Sequence, residues 1–217
     1  CGGGMSMHSA QYLRQVRQLT RQHGVYLIAD EIAVGCGRTG TFFAWEQVNE
    51  ADWPDAVLLS KGITGGNVPL SVVLSSEEIF GSFLSDGFAR GFVHSHSYTG
   101  NPIACAAANV VLDYFDEGLE DTIHQQSKFL SHAFSRFDGD SRISGLRQCG
   151  MILAFDVKDA GENFAERFHL QGRTEEILTR PIGNTVYLMP PYVLSQELAD
   201  FLADAIAKCL DKVLNRC

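Results

Sequence analysis

Two short apolar runs, each followed closely by a charged residue, constrain the fold of this chain more than any other feature. The runs cover residues 25–29 and 56–59. Uninterrupted apolar strands are typical of a parallel sheet that is covered on both faces, so we expect each run to be a buried strand. Asp30 follows the first run and Lys61 comes just after the second. Open α/β sheets bind ligands at the carboxyl ends of their strands, so the sequence predicts a site there.

The rest of the sequence predicts helices and strands in alternation. Apolar residues recur at helical spacing over residues 9–23, and Gly24 is a typical helix stop. The further elements expected are a strand at 70–74, helices at 76–84, 101–115 and 119–137, strands at 145–150, 152–157 and 185–189, and helices at 162–170 and 195–214. This order favours an α/β fold in which a small α+β domain, from about residue 143, follows a helical connector.

Composition excludes several classes of partner. The 217 residues include 17 Lys and Arg against 26 Asp and Glu, a net charge of −9. Binding to nucleic acid or to an anionic membrane is therefore not expected. No apolar stretch approaches the ~20 residues of a membrane span, which favours a cytoplasmic protein. The six cysteines are scattered without zinc-site spacing, so we expect neither a metal site nor a disulfide framework, and we expect Cys105 to be a small buried residue of an Ala-rich helix.

The charges that close the two apolar runs suggest specific chemistry. A lysine in an apolar site loses proton affinity, and its amine can then form a Schiff base with an aldehyde. A carboxylate in the same site can hold a pyridine nitrogen protonated. On the residues alone, Asp30 and Lys61 could equally form a plain salt bridge at the edge of the sheet.

Several linked motifs resemble one enzyme family. Residues 27–32 (LIADEI), 35–40 (GCGRTG) and 60–62 (SKG) are similar, in order and spacing, to the signature of class III pyridoxal-phosphate aminotransferases. Residues 94–102 (HSHSYTGNP) and the following Ala-rich run resemble the next motif of that class. The resemblance implies a fold-type I pyridoxal-phosphate-dependent transferase. Residues 1–120 would be the later part of its cofactor-binding domain, with a mostly parallel sheet, and residues 121–217 would be its small α+β C-terminal domain. The class uses no metal.

The resemblance also implies roles for four residues of the cofactor site. Lys61 would bind pyridoxal 5'-phosphate covalently and then act as the base that moves a proton. Asp30 would pair with the pyridinium nitrogen, and Ile32 would pack against the ring. Ser97 stands where the family usually has a Thr whose hydroxyl reaches the phosphate from the neighbouring subunit, which implies a homodimer with a shared site.

The stretch of residues 180–192 (RPIGNTVYLMPPY) points to a narrower group within the class. It is similar to the members that convert 8-amino-7-oxononanoate to 7,8-diaminononanoate in biotin biosynthesis, with S-adenosylmethionine as amino donor. By resemblance, Arg180 would bind the substrate carboxylate, Arg38 would shape the substrate site, and Tyr187 would contact a polar group of a substrate. On the residues alone, Arg38 could instead tie down a loop, Arg180 could be a solvated strand-end charge, and Tyr187 could belong to the core.

Other functions and roles stay open at this stage. The chain could be a class III enzyme that acts on an ω-amino acid or amine, or a non-catalytic fragment that only dimerises. Glu31 could pair with a base or a helix end, whereas His94 and His96 are expected in a loop near the phosphate. The resemblance covers this chain but not the N-terminal half of the family. We therefore expect a fragment that alone binds pyridoxal phosphate poorly and is inactive.

Overall fold

The computed structural model describes residues 3–48 and 52–214, which form two compact units. The N-terminal unit contains His8–Cys36 and Thr41–Leu119. The C-terminal unit contains residues 3–7, Gly37–Gly40 and the chain from Glu120 onward. The assignment of residues 1–120 to a cofactor-binding domain and of 121–217 to a small domain stays a prediction.

The N-terminal unit consists of short strands and capped helices. Its elements are α1 (Ala10–Gln22), β1 (Ile28–Asp30), β2 (Ala56–Leu59), β3 (Val72–Ser75), α2 (Glu77–Ser82) and α3 (Pro102–Asp116). The three helices begin after Ser9, Ser76 and Asn101, and each of these side chains accepts a hydrogen bond from a backbone N–H of the first turn. Such caps satisfy N–H groups that have no partner within the helix. The helices predicted to begin at residues 9, 76 and 101 each begin one residue later.

The first sheet is mixed, in the order β1-β2-β3. β1 pairs with β2 in parallel, with Asp30 opposite Leu58, and β2 pairs with β3 antiparallel. The antiparallel pair arises because the connection from β2 to β3 holds only the short 3-10 helix Lys61–Thr64. A parallel return usually needs a longer crossover with an α-helix.

One face of this sheet packs on a core and the other is open in the described chain. Val57 and Leu59 are buried together with Ile63 and Ala108. On the opposite face Ile28 is 61% exposed, and Val25 and Tyr26 just before it are also exposed. The expectation that residues 25–29 form a strand buried on both faces is therefore wrong, because no described element covers the second face.

Cys105 is also exposed, contrary to expectation. Helix α3 turns Ala104 and Ala108, four residues apart, toward the core. Successive residues of an α-helix are rotated by roughly 100°, so Cys105 points away from the side that these alanines bury. Cys105 and the buried Cys209 are both free thiols.

The C-terminal unit is an antiparallel sheet with helices, which agrees with the expected α+β architecture. Its elements are α4 (Leu119–Phe134), β4 (Ile143–Cys149), β5 (Ile152–Val157), α5 (Phe164–Thr174), β6 (Thr185–Leu188) and α6 (Gln196–Leu214). The strands follow the order β4-β5-β6, and the fully buried rings of Phe134, Phe155 and Phe168 contribute to the core. Among the described helices, none is both long and apolar enough to cross a membrane.

Candidate active site

Asp30 and Lys61 lie at the carboxyl ends of two adjacent parallel strands. Asp30 is the last residue of β1, and Lys61 is the second residue after β2. Both side chains are exposed, so the expectation of charges enclosed in apolar surroundings is wrong for the described chain. No ion pair joins them among the described residues, so the structure does not contain the plain salt bridge considered above.

The backbone of Lys61 has an unusual conformation. Its φ angle is 50°, in the left-handed region that side chains with a Cβ rarely adopt. Lys61 begins a 3-10 helix that ends at Thr64, and the preceding Ser60 hydroxyl donates to the Leu70 carbonyl at 2.6 Å. Residues held in such conformations cost of order 1–3 kcal/mol and are concentrated at functional sites. The fold therefore holds the one lysine of residues 8–119 in a strained position at a strand end.

The turn after β1 is held by two carboxylates. Asp30 Oδ1 accepts a hydrogen bond from the Ile32 N–H at 3.1 Å, which fixes the first residues of the turn. Glu31 is buried, and its carboxylate accepts the N–H groups of Ala44 at 2.7 Å and Trp45 at 2.8 Å. Burial raises the pKa of Glu31, and these two N–H groups oppose that rise. Glu31 was expected to pair with a base or with a helix end, and in the structure it binds the N-terminal end of the helix that begins at Ala44.

Two glycines let the turn after β1 approach the lysine segment. A Cβ atom on Gly62 would lie 2.7 Å from the Cys36 Cβ, and one on Gly35 would lie 2.8 Å from the Leu59 Cδ2. Side-chain atoms do not come this close without a shift of the neighbours. The segment of residues 31–36 is therefore packed directly on β2 and on the residue after Lys61.

Replacement of Gly62 tests this close approach. We expect Gly62→Ala to lower the free energy of unfolding by about 1–3 kcal/mol, because the added methyl group overlaps the Cys36 side chain. The matched control is Gly81→Ala in α2, where the new Cβ meets nothing within 4 Å. That change is expected to be neutral or to stabilise by up to about 1 kcal/mol. Urea unfolding measures both, and an equal response of the two variants would contradict the close contact.

The segment before α3 forms an exposed turn. The His96 N–H donates to Thr99 Oγ1 at 3.1 Å, and His96 Nδ1 accepts the Tyr98 N–H at 3.2 Å. Ser97 is exposed in this turn, as is His94. Beside the turn lies a cavity of about 610 Å³, whose lining includes Ser60, Ser71, His96 and Asn101. Ser97 itself is not among the lining residues, so the structure places its sequence neighbours and the residue preceding Lys61 around one cavity.

The C-terminal unit brings Arg180 and Tyr187 together. Both line a largely apolar cavity of about 480 Å³, with Leu188 and Phe201 among the other lining residues. Tyr187 is half-buried on β6, and Arg180 is exposed. In the described chain Arg180 has neither a hydrogen bond nor an ion pair. An unpaired guanidinium at an apolar cavity is suited to an aliphatic carboxylate.

The Arg38 guanidinium forms hydrogen bonds with the chain segment that follows β6. Its Nη1 donates to the carbonyl of Pro190 at 2.6 Å and to that of Met189 at 3.4 Å. The guanidinium carbon also lies 4.8 Å from the centre of the Tyr192 ring. Arg38 is not among the residues that line the Arg180 cavity. Its geometry corresponds to the loop-anchoring alternative, and direct contact with a substrate stays a prediction.

The sequence did not predict the role of Gln126, a residue that bonds to the chain segment following β6. Gln126 of α4 is 7% exposed, and its side chain bonds to Tyr192 and Leu194. One feature of the sequence could have indicated it: Gln126 lies three residues after Ile123 and four before Leu130, on the apolar face of an amphipathic helix. Such a residue needs hydrogen-bond partners, but the sequence does not show which ones.

Comparison with known proteins gives consistent matches. A family model described as "Aminotransferase class-III" matches residues 1–210. The adenosylmethionine-8-amino-7-oxononanoate aminotransferase of Helicobacter pylori is 37% identical over 222 residues, and ornithine aminotransferase 2 of Staphylococcus saprophyticus is 33% identical over 207. These alignments cover 98% and 94% of this chain, and 50% and 48% of the two relatives.

Solved structures share the fold. The crystal structure of adenosylmethionine-8-amino-7-oxononanoate aminotransferase from Methanocaldococcus jannaschii superposes with a TM-score of 0.90 at 28% sequence identity. The match covers 97% of this chain and 51% of that one. It confirms the predicted α/β, fold-type I architecture. The chain spans about half the length of the curated relatives it matches.

Proposed function

This chain belongs to the class-III aminotransferase family, and from that membership we propose that it serves the amination of 8-amino-7-oxononanoate to 7,8-diaminononanoate, with S-adenosylmethionine as donor. The observation that carries the proposal is the placement of Lys61. The lysine lies in a strained backbone conformation at the end of β2, next to the strand end that bears Asp30. The names of several relatives, from Helicobacter pylori to Methanocaldococcus jannaschii, support the choice of reaction.

The residues at these strand ends fit pyridoxal phosphate as the cofactor. Lys61 supplies a primary amine for the aldehyde, Asp30 a carboxylate for the ring nitrogen, and Ile32 a branched apolar side chain for the ring face. Ser97 supplies a hydroxyl for the phosphate, and its exposure in the turn before α3 suits a site completed by a second subunit. When bound, pyridoxal phosphate acts as an electron sink and carries the amino group between the two substrates.

Lys61 and Asp30 then have distinct tasks. The Lys61 amine would hold the cofactor and would also be the base that moves a proton at the substrate carbon. Asp30 would keep the ring nitrogen protonated, and its bond from the Ile32 N–H holds the carboxylate in one orientation. Glu31 acts indirectly. Its two bonds to the helix that begins at Ala44 fix the turn after β1, which carries Asp30 and Ile32.

The Arg180 cavity supports an aliphatic carboxylate as the amino acceptor. 8-Amino-7-oxononanoate carries a carboxylate at one end of an apolar polymethylene chain. Arg180 would pair with the carboxylate, and the apolar lining, with residues such as Leu188 and Phe201, would contact the chain. The volume of about 480 Å³ lies within the range of roughly 300–1,000 Å³ typical of small-molecule pockets.

A second candidate is transamination of an ω-amino acid or amine by the same residues. The observation that favours it is the 33% identity to ornithine aminotransferase 2 of Staphylococcus saprophyticus. Arg180 would bind the carboxylate of an ω-amino acid equally well. The two candidates therefore differ in the donor rather than in the cofactor residues.

A donor screen with the holoenzyme that carries this chain separates the candidates. With 8-amino-7-oxononanoate as acceptor, we expect 7,8-diaminononanoate to form from S-adenosylmethionine and much more slowly from ornithine or a simple ω-amine. Mass spectrometry of the product measures both rates, and a sample without pyridoxal phosphate is the control. Turnover with an ω-amino donor, together with none from S-adenosylmethionine, would contradict the proposed reaction and favour the second candidate.

A further inference from the structure

The chain segment after β6 forms one wall of the Arg180 cavity without belonging to a helix or strand. Residues 189–194 follow directly on the strand that bears Tyr187, and Pro190, Pro191, Val193 and Leu194 all line the cavity. The two prolines lack a backbone N–H, so this segment cannot be held by a regular hydrogen-bond ladder. Its position therefore depends on side chains that reach it from elsewhere.

Gln126 holds this wall with both ends of its amide. Nε2 donates to the Tyr192 carbonyl at 2.9 Å, and Oε1 accepts the Leu194 N–H at 3.0 Å. The side chain is 7% exposed, so water does not readily replace either bond if the amide is lost. Arg38 holds the other end of the wall through the Pro190 carbonyl.

We propose that Gln126 is a positioning residue for substrate binding, which sets the distance between the wall of residues 189–194 and Arg180. The proposal rests on the proposed function in one respect, that Arg180 binds the carboxylate of the acceptor. Loss of the amide removes the bond to the Tyr192 carbonyl and takes the partner from the buried Leu194 N–H. A buried donor that loses its partner raises the free energy of the folded chain, so the segment is no longer stable in its original position. The wall then shifts, and the apolar chain of the acceptor loses its contacts.

The expected effect is on affinity for the acceptor and not on the chemical step. In the holoenzyme, Gln126→Met keeps the side-chain volume but removes both bonds. We expect KM for 8-amino-7-oxononanoate to rise about tenfold, which corresponds to the net loss of one or two hydrogen bonds. We expect kcat and the KM for the amino donor to stay within about twofold of the unmodified enzyme, because Gln126 lies in neither the Lys61 segment nor the cofactor turn.

Two further variants complete the experiment. Gln126→Glu keeps the acceptor for the Leu194 N–H but loses the donor to the Tyr192 carbonyl, so the KM of this variant should also rise. This variant tests the proposal if Gln126→Met does not fold. Gln148 donates hydrogen bonds to the carbonyls of Ser127 on α4 and of Gly150, and it does not bond to residues 189–194. Gln148→Met removes these bonds. It should lower the melting temperature but leave KM unchanged.

The outcomes separate failure of this inference from failure of the proposed function. If Arg180→Ala raises KM while both Gln126 variants leave it unchanged, the positioning role is wrong and the carboxylate site stands. The same holds if Gln126→Met and Gln148→Met raise KM equally, since the effect would then be one of general stability. If Arg180→Ala leaves KM unchanged, the carboxylate site itself is wrong and the positioning role is overturned with it.

Discussion

Replacement of Lys61 by Ala should all but abolish transamination by the holoenzyme that carries this chain. We expect turnover to fall by at least about 10²–10⁴-fold, the usual contribution of a positioned acid–base group, since the variant also loses the covalent link to the cofactor. Alanine at this position removes the amine of a residue whose backbone has a left-handed conformation after β2. The measurement is the rate of product formation at saturating concentrations of both substrates.

The control for this variant is another lysine of the same chain. Lys128 is exposed on α4 and belongs to the C-terminal unit, so Lys128→Ala should leave turnover unchanged. Added methylamine should restore part of the activity of Lys61→Ala, because a free amine can replace the missing base. Full turnover by Lys61→Ala without added amine would contradict the role of Lys61.

Replacement of Arg180 by Ala should weaken binding of the acceptor by about 10–100-fold. A hydrogen bond to a charged group contributes about 1.5–3 kcal/mol, which corresponds to this range of affinity. Arg180→Lys should recover only part of the loss, because an ammonium group lacks the planar fork that binds both carboxylate oxygens. The KM for 8-amino-7-oxononanoate measures the effect in each variant.

Arg173 provides the matched control for this prediction. It is an exposed arginine in the last turn of α5 and does not line the cavity. Arg173→Ala removes the same charge and should leave KM within about twofold of the unmodified enzyme. An equal rise in KM for the two variants would show that net charge, and not the Arg180 cavity, attracts the acceptor.

The strand ends and helix starts were predictable because local rules determine them. Asp30 and Lys61 follow apolar runs, and such runs at this spacing predict adjacent strands whose ends meet at one edge. The helical spacing of the apolar residues in 9–23 predicts α1, which begins directly after Ser9. These features depend on neighbours in sequence, so a single chain reveals them.

Features that depend on distant segments were not predictable from the sequence. The bonds from Glu31 to Ala44 and from Gln126 to Leu194 join residues that are far apart in the chain. The left-handed conformation of Lys61 has no signal in the sequence, since no glycine stands at that position. An apolar run predicts a strand, but it does not show whether one face or both faces are covered, and this is why the burial of Ile28 was mispredicted.

The most direct test of the central claim is to identify the lysine that binds pyridoxal phosphate. The chain has five lysines, Lys61, Lys128, Lys158, Lys208 and Lys212. Borohydride reduction of the holoenzyme converts the bond between cofactor and lysine to a stable amine, and peptide mapping by mass spectrometry then locates the pyridoxyl group. We predict that the peptide containing Lys61 carries the label in near-stoichiometric yield. A label confined to the other four lysines, with Lys61 unmodified, would contradict the account.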